Sequence, residues 1–114
     1  MPVAVSETFL GISVCNMERA AAFYVKALGA TVAFGSPGWS SLKIAGVRIG
    51  LALVPKSEGS RVGLHFAVSD LATACAEVER AGGRIIKASV EVAPGVVVAE
   101  VEDTEGNGFV LTQK

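Results

Sequence analysis

Residues 10–30, LGISVCNMERAAAFYVKALGA, and residues 64–84, LHFAVSDLATACAEVERAGGR, carry one pattern 54 positions apart, and that recurrence decides the fold. Leu10 falls on Leu64, Val14 on Val68, Asn16 on Asp70, Ala20 on Ala74 and Gly29 on Gly83. Each copy opens with apolar residues at every second position, the period of a half-buried strand, and continues with apolar residues at helical spacing. The helical set is Met17, Ala20, Ala21, Tyr24 and Leu28 in the first copy and Leu71, Ala74, Cys75 and Val78 in the second. Asn16 and Asp70 are placed as N-caps, whose side-chain oxygens accept from the first backbone N–H groups of a helix. Gly29 and the Gly82-Gly83 pair stand where a left-handed C-terminal cap is wanted.

Downstream of each helix, segments of strand character alternate with turn signals. The first copy continues with TVAFGS (31–36), a Pro37-Gly38 turn, WSSLKI (39–44), an Ala45-Gly46 turn and VRIGLALV (47–54). The second continues with GRIIKASVEV (83–92), a Pro94-Gly95 turn, VVVAEVE (96–102), a turn at DTEGN (103–107) and GFVLTQ (108–113). Each half therefore reads strand, helix, strand, strand, strand, and PKSEGS (55–60) has the composition of a linker between them. The expected fold is α+β: two tandem βαβββ modules, about 5–55 and 61–114, forming an open, cupped mixed sheet with the helices on the outer face.

A chain of 114 residues makes one domain that buries roughly two thirds of its unfolded surface. With 51% hydrophobic and 18% charged residues and a net charge of −1, it has the balance of a globular protein rather than a disordered one. The ten basic residues are scattered, which argues against nucleic acid as a partner. No apolar run approaches the roughly 18 residues of a membrane span, and the N-terminus lacks the basic and apolar regions of a signal peptide, so a cytoplasmic protein with no membrane partner is expected. Cys15 and Cys75 lack any CxxC or Cys/His spacing and read as reduced, structural cysteines.

FLGISVCNMERAAAFYVKALGATVAF (9–34), with its AFY followed by LG, VSDLATACAEVERAGGRI (68–85) and EDTEGNGFVL (102–111) together resemble the vicinal oxygen chelate superfamily. That superfamily includes glyoxalase I, extradiol dioxygenases, fosfomycin resistance proteins and bleomycin-binding proteins. The resemblance covers essentially the whole chain, and EDTEGNGFVL is similar to the superfamily's DPDGN turn and last strand. It implies paired modules, homodimers and a molecule bound or transformed in the cup. It also implies a divalent ion held by four side chains, His, Gln or Glu, from the first and last strands of each module.

Carried over by position, those four places hold Phe9, Gly50, Gly63 and Val110. None offers a lone pair to Mg²⁺, Mn²⁺, Ni²⁺ or Zn²⁺. Their neighbours Leu10, Leu51, Leu64 and Leu111 are equally inert, and a shift of two residues reaches His65 but supplies no other donor. No metal and no other cofactor is expected.

Strand parity sends Phe9, Gly11, Ser13, Arg48, Gly50, Ala52, Gly63, His65, Ala67, Val98 and Glu100 into the cup. The candidate ligand-binding residues are Phe9, Ser13, Trp39, Arg48, His65 and Glu100, with His65 and Glu100 also the candidate acid and base. Each has a plainer reading: Arg48 as a solvated side chain, Glu100 on a wet strand face, Trp39 as a core or dimer anchor. An enclosed Glu100 would need Arg48, His65 or a ligand as partner. GNG (106–108) and PGW (37–39) are turn chemistry rather than phosphate loops, since neither opens a helix.

The favoured function is a metal-free protein, paired as a homodimer, that sequesters or carries a small organic ligand in the cup. The alternative is a lyase, isomerase or dioxygenase-type enzyme, either metal-dependent with its ligands elsewhere or using His65 and Glu100 as acid and base. A third reading is a domain kept for assembly alone.

Overall fold

Asn16 and Asp70 start both helices, their Oδ1 atoms accepting from the N–H of Arg19 (3.0 Å) and Thr73 (3.1 Å). The computed structural model describes residues 2, 4, 6–56, 59 and 61–114, the side chains of Arg61 and Val62 excepted; residues 57, 58 and 60 of the expected linker lie outside it. The first half runs β1 (Leu10–Val14), α1 (Met17–Leu28), β2 (Thr31–Gly35), β3 (Trp39–Ile44) and β4 (Val47–Leu53). The second runs β5 (Arg61–Val68), α2 (Leu71–Arg80), β6 (Arg84–Ala93), β7 (Val96–Glu102) and β8 (Gly108–Gln113). Gly29 caps α1 at φ 67, as its place in the repeat requires. In α2 the cap is Ala81 and the left-handed residue is Gly82, one position earlier than the aligned Gly83.

The strands form two mixed sheets of four, ordered β1-β4-β3-β2 and β5-β8-β7-β6, with the first and last strand of each module parallel and the other pairs antiparallel. The two tandem βαβββ modules and the mixed strand pairing expected from the sequence are thus present, each module contributing one four-stranded sheet. Among the described residues no ladder joins the halves, which instead meet through the two helices and the loop before β8.

Alternation sorts each sheet into a packed face and an open one. Ile12, Val14, Leu42, Ile49 and Leu51 of the first sheet and Ala99, Val101, Phe109 and Leu111 of the second are buried with Phe23, Tyr24 and Val78 of the helices in one continuous core. Phe109 crosses the boundary, with its ring centroid 6.2 Å from that of Phe23. Close approach there leaves no room for a side chain at Gly83, where a Cβ would stand 2.7 Å from the Phe23 ring and 2.5 Å from the Glu102 carbonyl oxygen.

The loop of residues 103–107 fastens the halves. Asp103, buried, accepts from the N–H groups of Glu105 (2.7 Å) and Asn107 (2.8 Å) and from the Tyr24 hydroxyl (2.6 Å). Glu105, whose side chain is fully covered, accepts from the N–H groups of Cys15 and Asn16 at 3.1 Å and from the Cys15 thiol at 3.3 Å. Arg19 closes the cluster as a fork, Nε on one Glu105 oxygen (2.6 Å) and Nη2 on the other (3.0 Å). Burial by itself raises the Glu105 carboxyl, but Arg19, Thr104 and Cys15 outweigh it and hold the group at about 2. Burial, then Asp103, pushes the Tyr24 phenol well above its ordinary range, so it stays a donor.

Candidate functional site on the open face of the first sheet

The register of the first sheet stacks the open-face side chains in rows. One row runs Phe34, Ser41, Gly50 and Gly11 across β2, β3, β4 and β1; a second sets Trp39 beside Ala52 and Ser13; a third pairs Lys43 with Arg48. Two adjacent glycines make a depression in the middle of the face. The Trp39 indole lies in it over Gly50, where a Cβ would stand 2.2 Å from the ring. At Gly11 a Cβ would meet nothing within 4 Å, so the floor beside the indole is open.

Phe9, 43% exposed, meets Trp39 edge to face, with centroids 5.9 Å apart and planes at 81°. The Arg48 guanidinium lies 5.1 Å from the Phe9 centroid, within cation–π range. Its Nε donates to Ser41 Oγ at 2.8 Å, and its Nη1 pairs with the carboxylate of Glu7, on the segment before β1. Ser41 is buried, so the guanidinium is anchored at its Nε from beneath.

Of the six candidate residues, Phe9, Trp39 and Arg48 therefore converge. Ser13 shares their face, its carbonyl accepting from Asn107 Nδ2 at 3.2 Å. His65 and Glu100 stand on the second sheet in one row with Val110 between them: His65 pairs with Val110, and Val110 with Glu100. Two strand spacings, about 10 Å of backbone, separate the candidate acid and base. Across β6 the Glu100 carboxylate faces Lys87 at 4.0 Å, not Arg48. His65 lines a different space, a cleft of ≈ 700 Å³ along β5 whose walls include Leu10, Leu28, Ile44 and Val47. Ser41 and Glu7 were not singled out from the sequence. A serine in an apolar strand and a carboxylate ahead of the first strand carry no local signal of a site.

The four positions at which the resemblance implies a divalent ion do not fit one. Phe9 packs against Trp39, Gly50 is covered by the indole, and Gly63 sits at φ 70 where the β5–β8 register slips. Val110 fills the space between His65 and Glu100. Among the described residues no three His, Cys, Asp or Glu side chains cluster as a cation site would require. No described helix is long and apolar enough to cross a membrane.

The fold has many solved counterparts. A glyoxalase-related enzyme from Fulvimarina pelagi superposes with a TM-score of 0.81 at 16% identity, covering 96% of this chain and 89% of that one. The fosfomycin resistance protein FosX from Listeria monocytogenes gives 0.81 at 12% identity, over 98% and 95%. The bleomycin-binding protein of Streptomyces verticillus, solved with copper(II)-bleomycin, gives 0.69 at 17% identity, over 99% of both chains. Identities this low speak for the fold alone. No curated protein matches the chain in sequence. The sequence model of the Glyoxalase/Bleomycin resistance protein/Dioxygenase superfamily, however, matches residues 8–111, and the chain belongs to that superfamily.

Proposed function

We propose that the protein binds a small organic molecule, without a metal ion, on the open face of its first sheet, and that two copies pair to cover that face. The observation that carries this reading is the Trp39 ring over Gly50, since the position implied for a metal-binding carboxylate is occupied by an indole. An open apolar floor, two aromatic walls and one anchored guanidinium are the ingredients of a small-molecule site: hydrophobic volume with a few fixed polar groups. Among proteins of this fold, the bleomycin-binding protein of Streptomyces verticillus likewise holds an organic molecule.

Pairing is supported by the outer strands. Phe34 on β2 is 57% exposed and Val92 on β6 is 60% exposed, and apolar side chains on unpaired sheet edges invite a partner. Burying them against a second copy removes that liability and encloses the site.

Titration with aromatic ligands, read by calorimetry and by emission of the single Trp39, tests binding. Saturable quenching with one ligand per chain is expected. Titration of Ni²⁺, Mn²⁺ and Zn²⁺ should give no stoichiometric complex, and one tight ion per chain would overturn the metal-free reading. Sedimentation equilibrium should return twice the mass of the chain; a monomer throughout the micromolar range removes the pairing.

A further inference from the structure

We infer that the site selects a planar aromatic carboxylate, and that the Glu7 carboxylate stands in the place the ligand's own carboxylate takes. This rests on the reading of the first sheet as a ligand site and adds the ligand's chemistry and its internal competitor.

Three observations point the same way. First, Arg48 and Lys43 are directly paired across β3 and β4 on the open face, and like charges so placed repel unless an anion lies over them. Second, Arg48 is built as a receptor. Ser41 fixes its Nε, the Phe9 ring lies within cation–π range of the guanidinium, and Nη1 meets a carboxylate. Third, that carboxylate is a weak holder of the position. Glu7 lies outside any strand, its side chain is 54% exposed, and an exposed ion pair of this kind contributes little to stability. A ligand carboxylate can therefore exchange with it on the Arg48 guanidinium, carboxylate for carboxylate, with the charge balance at the pair kept.

The rest of the pocket sets the shape. Phe9 and Trp39 stand nearly at right angles, and the unfilled floor at Gly11 lies next to the indole. A flat ring laid over Gly11 stacks against aromatic surface while its carboxylate reaches Arg48, which an aliphatic acid or a neutral aromatic does only in part.

The test uses 2-naphthoate, its neutral amide 2-naphthamide, and acetate, titrated calorimetrically into the full chain with Trp39 emission recorded. Naphthoate should bind with quenching, naphthamide about tenfold or more weaker and acetate not measurably, because the charge-assisted pair to Arg48 is lost in one and the stacking in the other. Glu7→Gln should strengthen naphthoate about two- to fivefold and leave naphthamide unchanged, since only the anion competes with Glu7. Arg48→Met should bring naphthoate down to the naphthamide level. If the Arg48 variant fails to fold, Glu7→Gln, a surface change, still decides the matter. Equal affinity for naphthoate and naphthamide would overturn the carboxylate site while the small-molecule reading stands. Naphthoate affinity unchanged in Glu7→Gln would overturn the exchange. Failure of every aromatic probe to bind would overturn both this inference and the function it rests on.

Discussion

Ala45-Gly46 and residues 103–107 connect the same pair of strands in the two modules, yet one is a minimal turn and the other a fastening. The first closes β3 onto β4 in two residues, both left-handed, at φ 50 and φ 83. The second spends five residues and sends three side chains, Asp103, Glu105 and Asn107, into contacts with the first module. A repeated unit with identical connections would give two modules with no reason to prefer one mutual arrangement. The longer loop breaks that symmetry. Its cost is the burial of two carboxylates, which is offset only while every hydrogen bond to them is made.

The largest expected effect follows from removing that difference. Glu105→Ala leaves the Arg19 guanidinium and the N–H groups of Cys15 and Asn16 without their acceptor, and should lower stability by about 3 kcal/mol in urea denaturation. A loss below about 1 kcal/mol would mean that the shared core alone holds the halves together. The same carboxylate sets an acid limit. Its pKa is about 2 in the folded chain against 4.5 ordinarily, so the unfolded chain takes up the proton first. The stabilisation is complete above the ordinary value and drains away as pH falls from about 4.5 toward 2. Glu105→Gln should flatten the stability profile in that window and leave its shape near neutrality unchanged.

Gly29 and Gly83 sharpen the comparison, because they occupy one position of the repeat for different reasons. Gly29 has φ 67 and open space around its missing Cβ, whereas Gly83 has an ordinary backbone and three atoms within 3 Å of where a Cβ would go. Gly83→Ala should cost about 1–3 kcal/mol by overpacking against Phe23 and Val78. Gly29→Ala should cost about 1 kcal/mol through backbone strain. Thermal unfolding of the two variants separates them, and Gly29→Asn, tolerant of the left-handed region, should recover much of the loss where Gly83→Asn recovers none. On the other side of the comparison, Ala45 is a non-glycine residue at φ 50. Ala45→Gly should therefore raise stability by about 0.5–1 kcal/mol, an increase in the urea midpoint with an unchanged slope.

How far the sequence leads follows from the range of each signal. The caps at Asn16 and Asp70, the helical stripes and every turn are local, and all are found where the repeat puts them. How the halves meet was not legible, because the contact of α1 with α2 and of the loop before β8 with the first module is a property of the assembled halves. DTEGN read as a turn, since Asp, Gly and Asn are turn formers whatever else they do; nothing local distinguishes an acid that caps its own loop from one that binds another module. Parity put Phe9 and Arg48 on one face, where the β3–β4 register also sets Trp39, but it cannot tell how many strands lie between two residues of the same face. That is why His65 and Glu100, both inward by parity, stand apart with Val110 between them.

The smallest stability effect is expected where the binding effect should be clear. Gly11 and Gly50 are neighbours in the β1–β4 ladder, but only Gly50 has its space taken, by the indole. Gly50→Ala must displace the Trp39 ring, which a shift in tryptophan emission should report. Gly11→Leu meets no atom at its Cβ and projects from an exposed part of the face, so its stability should stay within about 0.5 kcal/mol of the parent. The leucine would, however, fill the open floor beside the indole, and naphthoate binding should fall about tenfold or more because the ring can no longer lie there. Unchanged stability with lost binding marks Gly11 as room kept for a ligand. Unchanged binding would move the ligand off the open face of the first sheet and toward the His65 cleft, which residues of both modules line.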